Sequence, residues 1–287
     1  MTATREPDPR PTSPPTASRR RWRRIVVPVL TVVVAAVTAV AALAYPAFLR
    51  SPAGSPGQLC AQGRPGDTDQ VVVAAGASLT HGSLSADWVG ALRGRLGAAG
   101  YTFVNAGRNG NTSQDLRERL DADVVSCRPN AVALLIGTND VLGDVGPDRY
   151  RANLEAIVDH LRATTTARIA LLSLPPLGED LDSARNQELE RYNATIREVT
   201  ITRQLAYLPL HEQLTALLHG REDAAAGYDF SFPLAFYVAF ERYVLRNSWD
   251  EIADGNGLRV LTDHVHLSDR GGTVVADLVA GWLGSAS

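Results

Sequence analysis

The sequence predicts an α/β fold: a parallel sheet of about five strands covered by helices on both faces, preceded by an N-terminal transmembrane helix. Three observations carry this prediction. Short apolar runs alternate with stretches of helical spacing along residues 69–287, the pattern of a parallel sheet with crossover helices. Several of the runs are apolar at every position, which suits strands buried on both faces. Residues 25–49 hold no charged residue, and about 20 such residues suffice for a helix to cross a bilayer.

The elements follow in order. Val71–Ala75 is a short apolar run ending in small residues, a buried strand. Trp88, Val89, Leu92 and Leu96 give 86–99 a helical face. Strand Tyr101–Asn105 and a helix over 112–122 come next. Ala131–Ile136 is strongly apolar. Pro147, suited to a first helical turn, opens a long helix to Thr164 with Tyr150, Leu154, Ile157, Val158 and Leu161 on one face. Arg168–Ser173 is a fourth strand, 183–202 a helix, Leu205–Leu208 a fifth strand, and 268–283 the last helix.

Charge is unevenly distributed. The chain has 28 basic and 31 acidic residues, and every basic residue is Arg. Residues 1–24 hold seven Arg and two acids, so the remainder has 21 against 29, a net charge of −8. An acidic body argues against a nucleic-acid partner. The Pro/Thr/Ser-rich start predicts a disordered, cytoplasmic tail over 1–24. The Arg cluster at 19–24 keeps that end inside by the positive-inside rule, which makes 25–49 a signal anchor and places the rest outside. The alternative is secretion after cleavage near Ala42-Leu43-Ala44, although the apolar stretch is long against the about 7–15 residues of a signal-peptide core. Residues 50–68, rich in Pro, Gly and Ser, read as a linker. Cys60 and Cys127, both outside the membrane on this reading, are expected to pair, the alternative being two unrelated buried thiols.

In an open parallel sheet the ligand site lies beyond the carboxyl ends of the strands. Ser78 follows the first strand between small residues, where a hydroxyl and a backbone N–H can both face a substrate. The second strand runs into Asn105-Ala106-Gly107-Arg108-Asn109-Gly110-Asn111-Thr112, whose glycines let backbone approach closely. The third runs into Gly137-Thr138-Asn139-Asp140, and an Asn amide is a good oxyanion donor. Asp263-His264-Val265-His266 comes near the end, supplying a base and the carboxylate that orients it. Each signal alone has a structural reading: a turn serine, a turn glycine, a helix cap, or, for Asp263 with the two histidines, a metal site that no Cys/His cluster supports.

Taken in order, these blocks resemble the SGNH, or GDSL-type, serine hydrolase family over roughly residues 69–284. The resemblance implies a three-layer flavodoxin-like fold and an esterase or lipase that hydrolyses acyl esters on lipids or envelope glycans without metal or cofactor. It implies Ser78 as nucleophile, His266 and Asp263 completing the triad, and Ser78, Gly110 and Asn139 as oxyanion donors. The Asp-to-His spacing selects His266 over His264. Ala77 departs from the family, which usually has Asp there, and removes local hydrogen bonds from the nucleophile turn. Two alternatives stay open: an acyltransferase using the same triad, and a non-catalytic envelope-binding module. The sequence leaves the oligomeric state undefined.

Residues 228–243 contain half of the chain's Phe and Tyr within an insertion over 228–246. One reading is a core helix, since Phe236, Phe240 and Tyr243 have helical spacing. The other is an apolar, substrate-binding wall formed by Phe236, Tyr237 and Phe240.

Overall fold

The computed structural model describes residues 17–66, 70–219 and 226–285. The chain divides into two compact units, 1–42 and 43–287. The first contributes most of helix α1 (Ala17–Ala44). The apolar run Ile25–Leu49 has a mean hydropathy of 2.7, the length and composition of a membrane span or a signal sequence. Of the tail expected over 1–24, residues 1–16 lie outside the described residues. The rest opens α1, because Arg is a good helix former.

The second unit is built on five parallel strands: β1 (Gln70–Gly76), β2 (Tyr101–Gly107), β3 (Ala131–Leu135), β4 (Arg168–Leu172) and β5 (Ala206–Leu208). Their order is β2-β1-β3-β4-β5. Every pairing is parallel, and Gly76 is level with Gly107 on one side and Leu135 on the other. The order reverses at β1, so the crevice between its two neighbours opens at the carboxyl ends of β1, β2 and β3. From Val71 onward β1 is buried throughout, as its unbroken apolar run requires.

Helices flank the sheet and its loops, and those within 86–99, 112–122, 147–164, 183–202 and 268–284 lie where the apolar spacing placed them. They are α2 (Ser78–His81), α3 (Trp88–Leu96), α4 (Ser113–Glu118), α5 (Thr138–Leu142), α6 (Pro147–Thr164), α7 (Ala184–Thr202), α8 (Leu210–Leu218), α9 (Phe232–Phe240), α10 (Trp249–Gly255) and α11 (Asp269–Gly284). Ser183 and Ser268 sit one residue outside α7 and α11. Each side chain accepts a hydrogen bond from the backbone N–H of the third residue on, which fixes the helix start. The helix predicted over 112–122 breaks after Glu118, where Arg119 turns inward.

The stretch expected as a linker is packed in its described part, 50–66. Asn105 N–H donates to the Gly54 carbonyl at 2.9 Å, Arg93 donates to the Ala53 carbonyl at 3.0 Å, and Cys60 is disulfide-bonded to Cys127. The segment thus lies along the open edge of β2 and covers it. The bridge closes a loop of 67 residues, for which loss of chain entropy in the unfolded state corresponds to about 4 kcal/mol. Replacing both cysteines by Ala is expected to lower unfolding free energy in urea by that amount. An unchanged midpoint would show that the bridge adds no constraint.

Candidate active site

Ser78 opens α2 immediately beyond β1. The turn is held without a polar side chain at position 77: the Ala77 carbonyl accepts from Thr80 and His81 N–H, at 3.2 and 2.9 Å. The far end of this four-residue helix is closed from outside. Trp88 Nε1 donates to the Leu79 carbonyl and Asn105 Nδ2 to the Thr80 carbonyl, at 2.9 and 2.8 Å. Ala77 itself is buried against the core. The helix lies so close to the sheet that a Cβ on Gly107 would fall 2.2 Å from His81 N, and one on Gly76 would fall 2.3 Å from Thr80 Oγ1. Glycine is the residue both places admit.

The segment bearing Asp263 and His266 is registered onto this turn by the loop 82–87. Leu267 N–H donates to Ser85 Oγ, Ala86 N–H to the Leu267 carbonyl, and Thr262 Oγ1 to the Leu84 carbonyl. From the other side, buried Glu179, just beyond β4, accepts from the N–H groups of Arg259, Val260 and Leu261 at 2.8, 2.7 and 3.2 Å. Gly178 N–H donates to the His264 carbonyl.

The result is a continuous relay. His266 Nε2 lies 3.0 Å from Ser78 Oγ, and His266 Nδ1 lies 2.8 and 3.0 Å from the two oxygens of Asp263. Asp263 is completely buried and also accepts from Val265 and His266 N–H. Burial opposes its ionisation, but the neighbouring His266 and these hydrogen bonds outweigh that and hold the carboxyl below the usual range. His264 takes no part in the relay. Its backbone is left-handed at φ 70°, and its Nδ1 is buried without a partner among the described residues.

Asn139 is the second residue of α5, beyond β3, and its Nδ2 donates to the Asn111 carbonyl at 2.9 Å, in the same loop as Gly110. Gly110 adopts φ 74°. Among the described residues no acceptor engages the N–H of Ser78 or Gly110. Asp140, also fully buried, accepts from Ser113 N–H and Oγ at 2.8 and 2.5 Å and so ties α5 to the start of α4. Burial raises its pKa, with the Ser113 hydrogen bonds acting in the opposite direction.

Two residues at this site escape the sequence pattern, and a third, Phe230, belongs to the aromatic stretch 228–243 but is not among the residues expected to form the substrate wall. Arg119 donates to the carbonyls of Gly76 and Ala106, both at 2.9 Å, to Asn111 Oδ1 at 2.6 Å, and pairs with Asp123 at 2.8 Å. It joins the ends of β1 and β2 to the Gly110 loop. In sequence it reads as a surface Arg with a helical i,i+4 partner. Arg119→Met removes the side-chain donor to the Gly76 and Ala106 carbonyls and to Asn111 Oδ1, leaves Asp123 with Arg108 at 2.8 Å, and is expected to cost about 2–4 kcal/mol in urea unfolding. A loss below 1 kcal/mol would show that the guanidinium is dispensable. Glu179 is the second, an acid in a loop that binds backbone far away in sequence. Phe230 is the third: its ring packs edge-on to His266 at 6.2 Å. Of the aromatics expected to form a substrate wall, Phe236 packs on Phe48 at 5.5 Å, while Tyr237 and Phe240 are exposed. No ring contact among the described residues links these three to Ser78 or His266.

An open parallel sheet with a serine, histidine and carboxylate in line beyond its strand ends is the frame of a serine ester hydrolase. Residues 74–273 match the GDSL-like lipase/acylhydrolase family, and the chain belongs to that family of carboxylic-ester hydrolases. An acetylxylan esterase of Geobacillus stearothermophilus is 25% identical over 169 residues, 55% of this chain and 77% of that protein. The esterase TesA of Pseudomonas aeruginosa is 35% identical over 96 residues, 32% of this chain and 47% of that one. The crystal structure of the acetylxylan esterase superposes with a TM-score of 0.56 at 19% identity, covering 74% of this chain and 93% of that one. An alpha/beta hydrolase from the metagenome of Lake Arreo, Spain, also superposes with a TM-score of 0.56 at 19% identity, covering 76% and 96%.

Proposed function

We propose that the chain is a membrane-anchored, extracytoplasmic serine ester hydrolase in which Ser78 is the nucleophile, His266 the general base and Asp263 the carboxylate that orients it. The observation that carries this reading is the relay of 3.0 Å from Ser78 Oγ to His266 Nε2 and 2.8 Å from His266 Nδ1 to Asp263. Ser78 Oγ attacks the ester carbonyl as its proton passes to His266 Nε2. The N–H groups of Ser78 and Gly110 and the amide of Asn139 take the oxyanion. His266 returns the proton to the leaving alcohol, and the acyl group stays on Ser78. Water, deprotonated by His266, then releases the acid and restores Ser78. Catalytic mutants of the related acetylxylan esterase carry Ala in place of a Ser, an Asp and a His, which agrees with this set.

Acetyl esters of glycans fit the name of the related acetylxylan esterase, and lipid esters fit the family's description as lipase/acylhydrolase. The anchor reading rests on the uncharged run Ile25–Leu49 behind five Arg at 19–24, and the disulfide agrees with an oxidising compartment. A panel of acetyl to long-chain esters, with free acid as the readout and acceptor sugars added, tests the assignment. Stoichiometric acid release supports a hydrolase, and acyl transfer to the sugars refutes it. Asn139→Ala is expected to lower kcat about 100–1000-fold with little change in KM. An unchanged kcat would remove Asn139 from the oxyanion set.

A further inference from the structure

We infer that the aromatic insertion docks on the outer surface of the bilayer that holds the N-terminal span, with α9 lying in the interfacial zone beside the relay. The inference rests on the anchor reading given under the proposed function.

The chain enters the catalytic unit at this insertion. Residues 43–49, the last part of the apolar run, belong to that unit. Ala47 is fully buried in a cluster with Ala235, Val238 and Ala239 of α9 and with Leu84, Trp249 and Ile252. The Phe48 ring packs edge-on to Phe236, and Tyr243 Oη donates to the Pro46 carbonyl at 3.3 Å. About 20 helical residues cross about 30 Å of hydrocarbon, so counted from Ile25 behind the Arg cluster the span is complete by about Ala44, before Ala47. The last residues of the run therefore lie at headgroup level, and whatever packs on them lies there too.

The helix that packs on them is inverted relative to an ordinary amphipathic helix. Its buried face is made of Ala235, Val238 and Ala239, while its large side chains point outward. Phe232 is 73% exposed and Tyr237 50%, and the turn that follows adds Val244 at 52% and Leu245 at 51%. α9 contains no charged residue; in the turn that follows, the half-buried Glu241 and Arg242 are both engaged by Asn247, at 2.8 and 2.9 Å, and exposed Arg246 closes the patch. An uncharged aromatic face with a cation at its border suits the headgroup boundary, where aromatic rings concentrate and Arg meets lipid phosphate. In water the same face would be an unexplained apolar patch. The patch also reaches the relay: Phe232 packs on Phe230 at 6.2 Å, and Phe230 packs on His266.

The full chain reconstituted in phosphatidylcholine/phosphatidylglycerol vesicles tests this. Single cysteines are introduced as Phe232→Cys, Leu245→Cys, Val33→Cys and Thr166→Cys and spin-labelled with the native disulfide intact. Collision with oxygen is compared with collision with a nickel chelate. Thr166 is exposed between α6 and β4, at the amino end of the sheet, and serves as the aqueous reference. Docking predicts oxygen-to-nickel ratios at 232 and 245 several times that at 166 and below that at 33. Ratios at 232 and 245 equal to that at 166, with a lipid-like ratio at 33, would overturn docking and leave the anchor standing. An aqueous ratio at 33 would overturn both. Thermal midpoints of the labelled proteins matching wild type establish that the readout comes from folded chains.

Discussion

Ser78→Ala is expected to lower ester turnover by roughly a million-fold, with KM nearly unchanged. Loss of a serine nucleophile removes the covalent route altogether. What remains is the contribution of binding and oxyanion donors, roughly 10³–10⁴ over water. The fold should not notice the change. Ser78 Oγ makes one side-chain hydrogen bond, to His266, and the turn around it is held by backbone carbonyls, Trp88 and Asn105. Steady-state kinetics with a chromogenic ester and a urea melt check both halves. Turnover within tenfold of wild type would exclude Ser78 as nucleophile.

Asp263→Asn should cost about 10⁴-fold in kcat, because an amide at this place favours the wrong imidazole tautomer while leaving geometry intact. His266→Ala should match Ser78→Ala, whereas His264→Ala should stay close to wild type, since among the described residues no hydrogen bond joins the His264 ring to Ser78, His266 or Asp263. The reverse pattern would exchange the two histidines. The carboxyl pKa is held below its ordinary value in the folded chain, so the stability it confers is fully present above the usual carboxylate pKa near 3.9. It is lost as pH falls through the lower, folded value. Unfolding free energy measured from pH 6 down to pH 2 should therefore drop less steeply in Asp263→Asn than in wild type. Equal slopes would show that the Asp263 carboxylate is not stabilised by the fold.

The strands were legible because burial on both faces demands unbroken apolar runs, and the cap residues Ser183 and Ser268 marked helix starts to within one position. Ser78, Asp263 and His266 were legible as chemistry-bearing types at strand ends, and the structure brings them into line. Arg119 and Glu179 were not, because each acts on partners that only the tertiary fold brings near. Arg119 reaches Gly76, 43 positions away, and Glu179 reaches Val260, 81 positions away. The outward face of α9 was misleading for a related reason. Helical spacing of Phe236, Phe240 and Tyr243 ordinarily marks a buried stripe, yet here Ala235, Val238 and Ala239 fill the core. Composition alone does not say which face of an aromatic helix meets protein. The expected linker was packed because one disulfide and the exposed edge of β2 recruited it.

With Ala where the family usually has Asp, the turn at Ser78 is supported by backbone, and the proposed function assigns activation of Ser78 to His266 and Asp263. Incubating the full chain with a fluorophosphonate and mapping the adduct by tandem mass spectrometry probes that activation directly. A single adduct on Ser78, formed at least 100-fold more slowly in His266→Ala, is the predicted result. Labelling of another serine, or a signal that persists in Ser78→Ala, would contradict the assignment of Ser78 as an activated nucleophile.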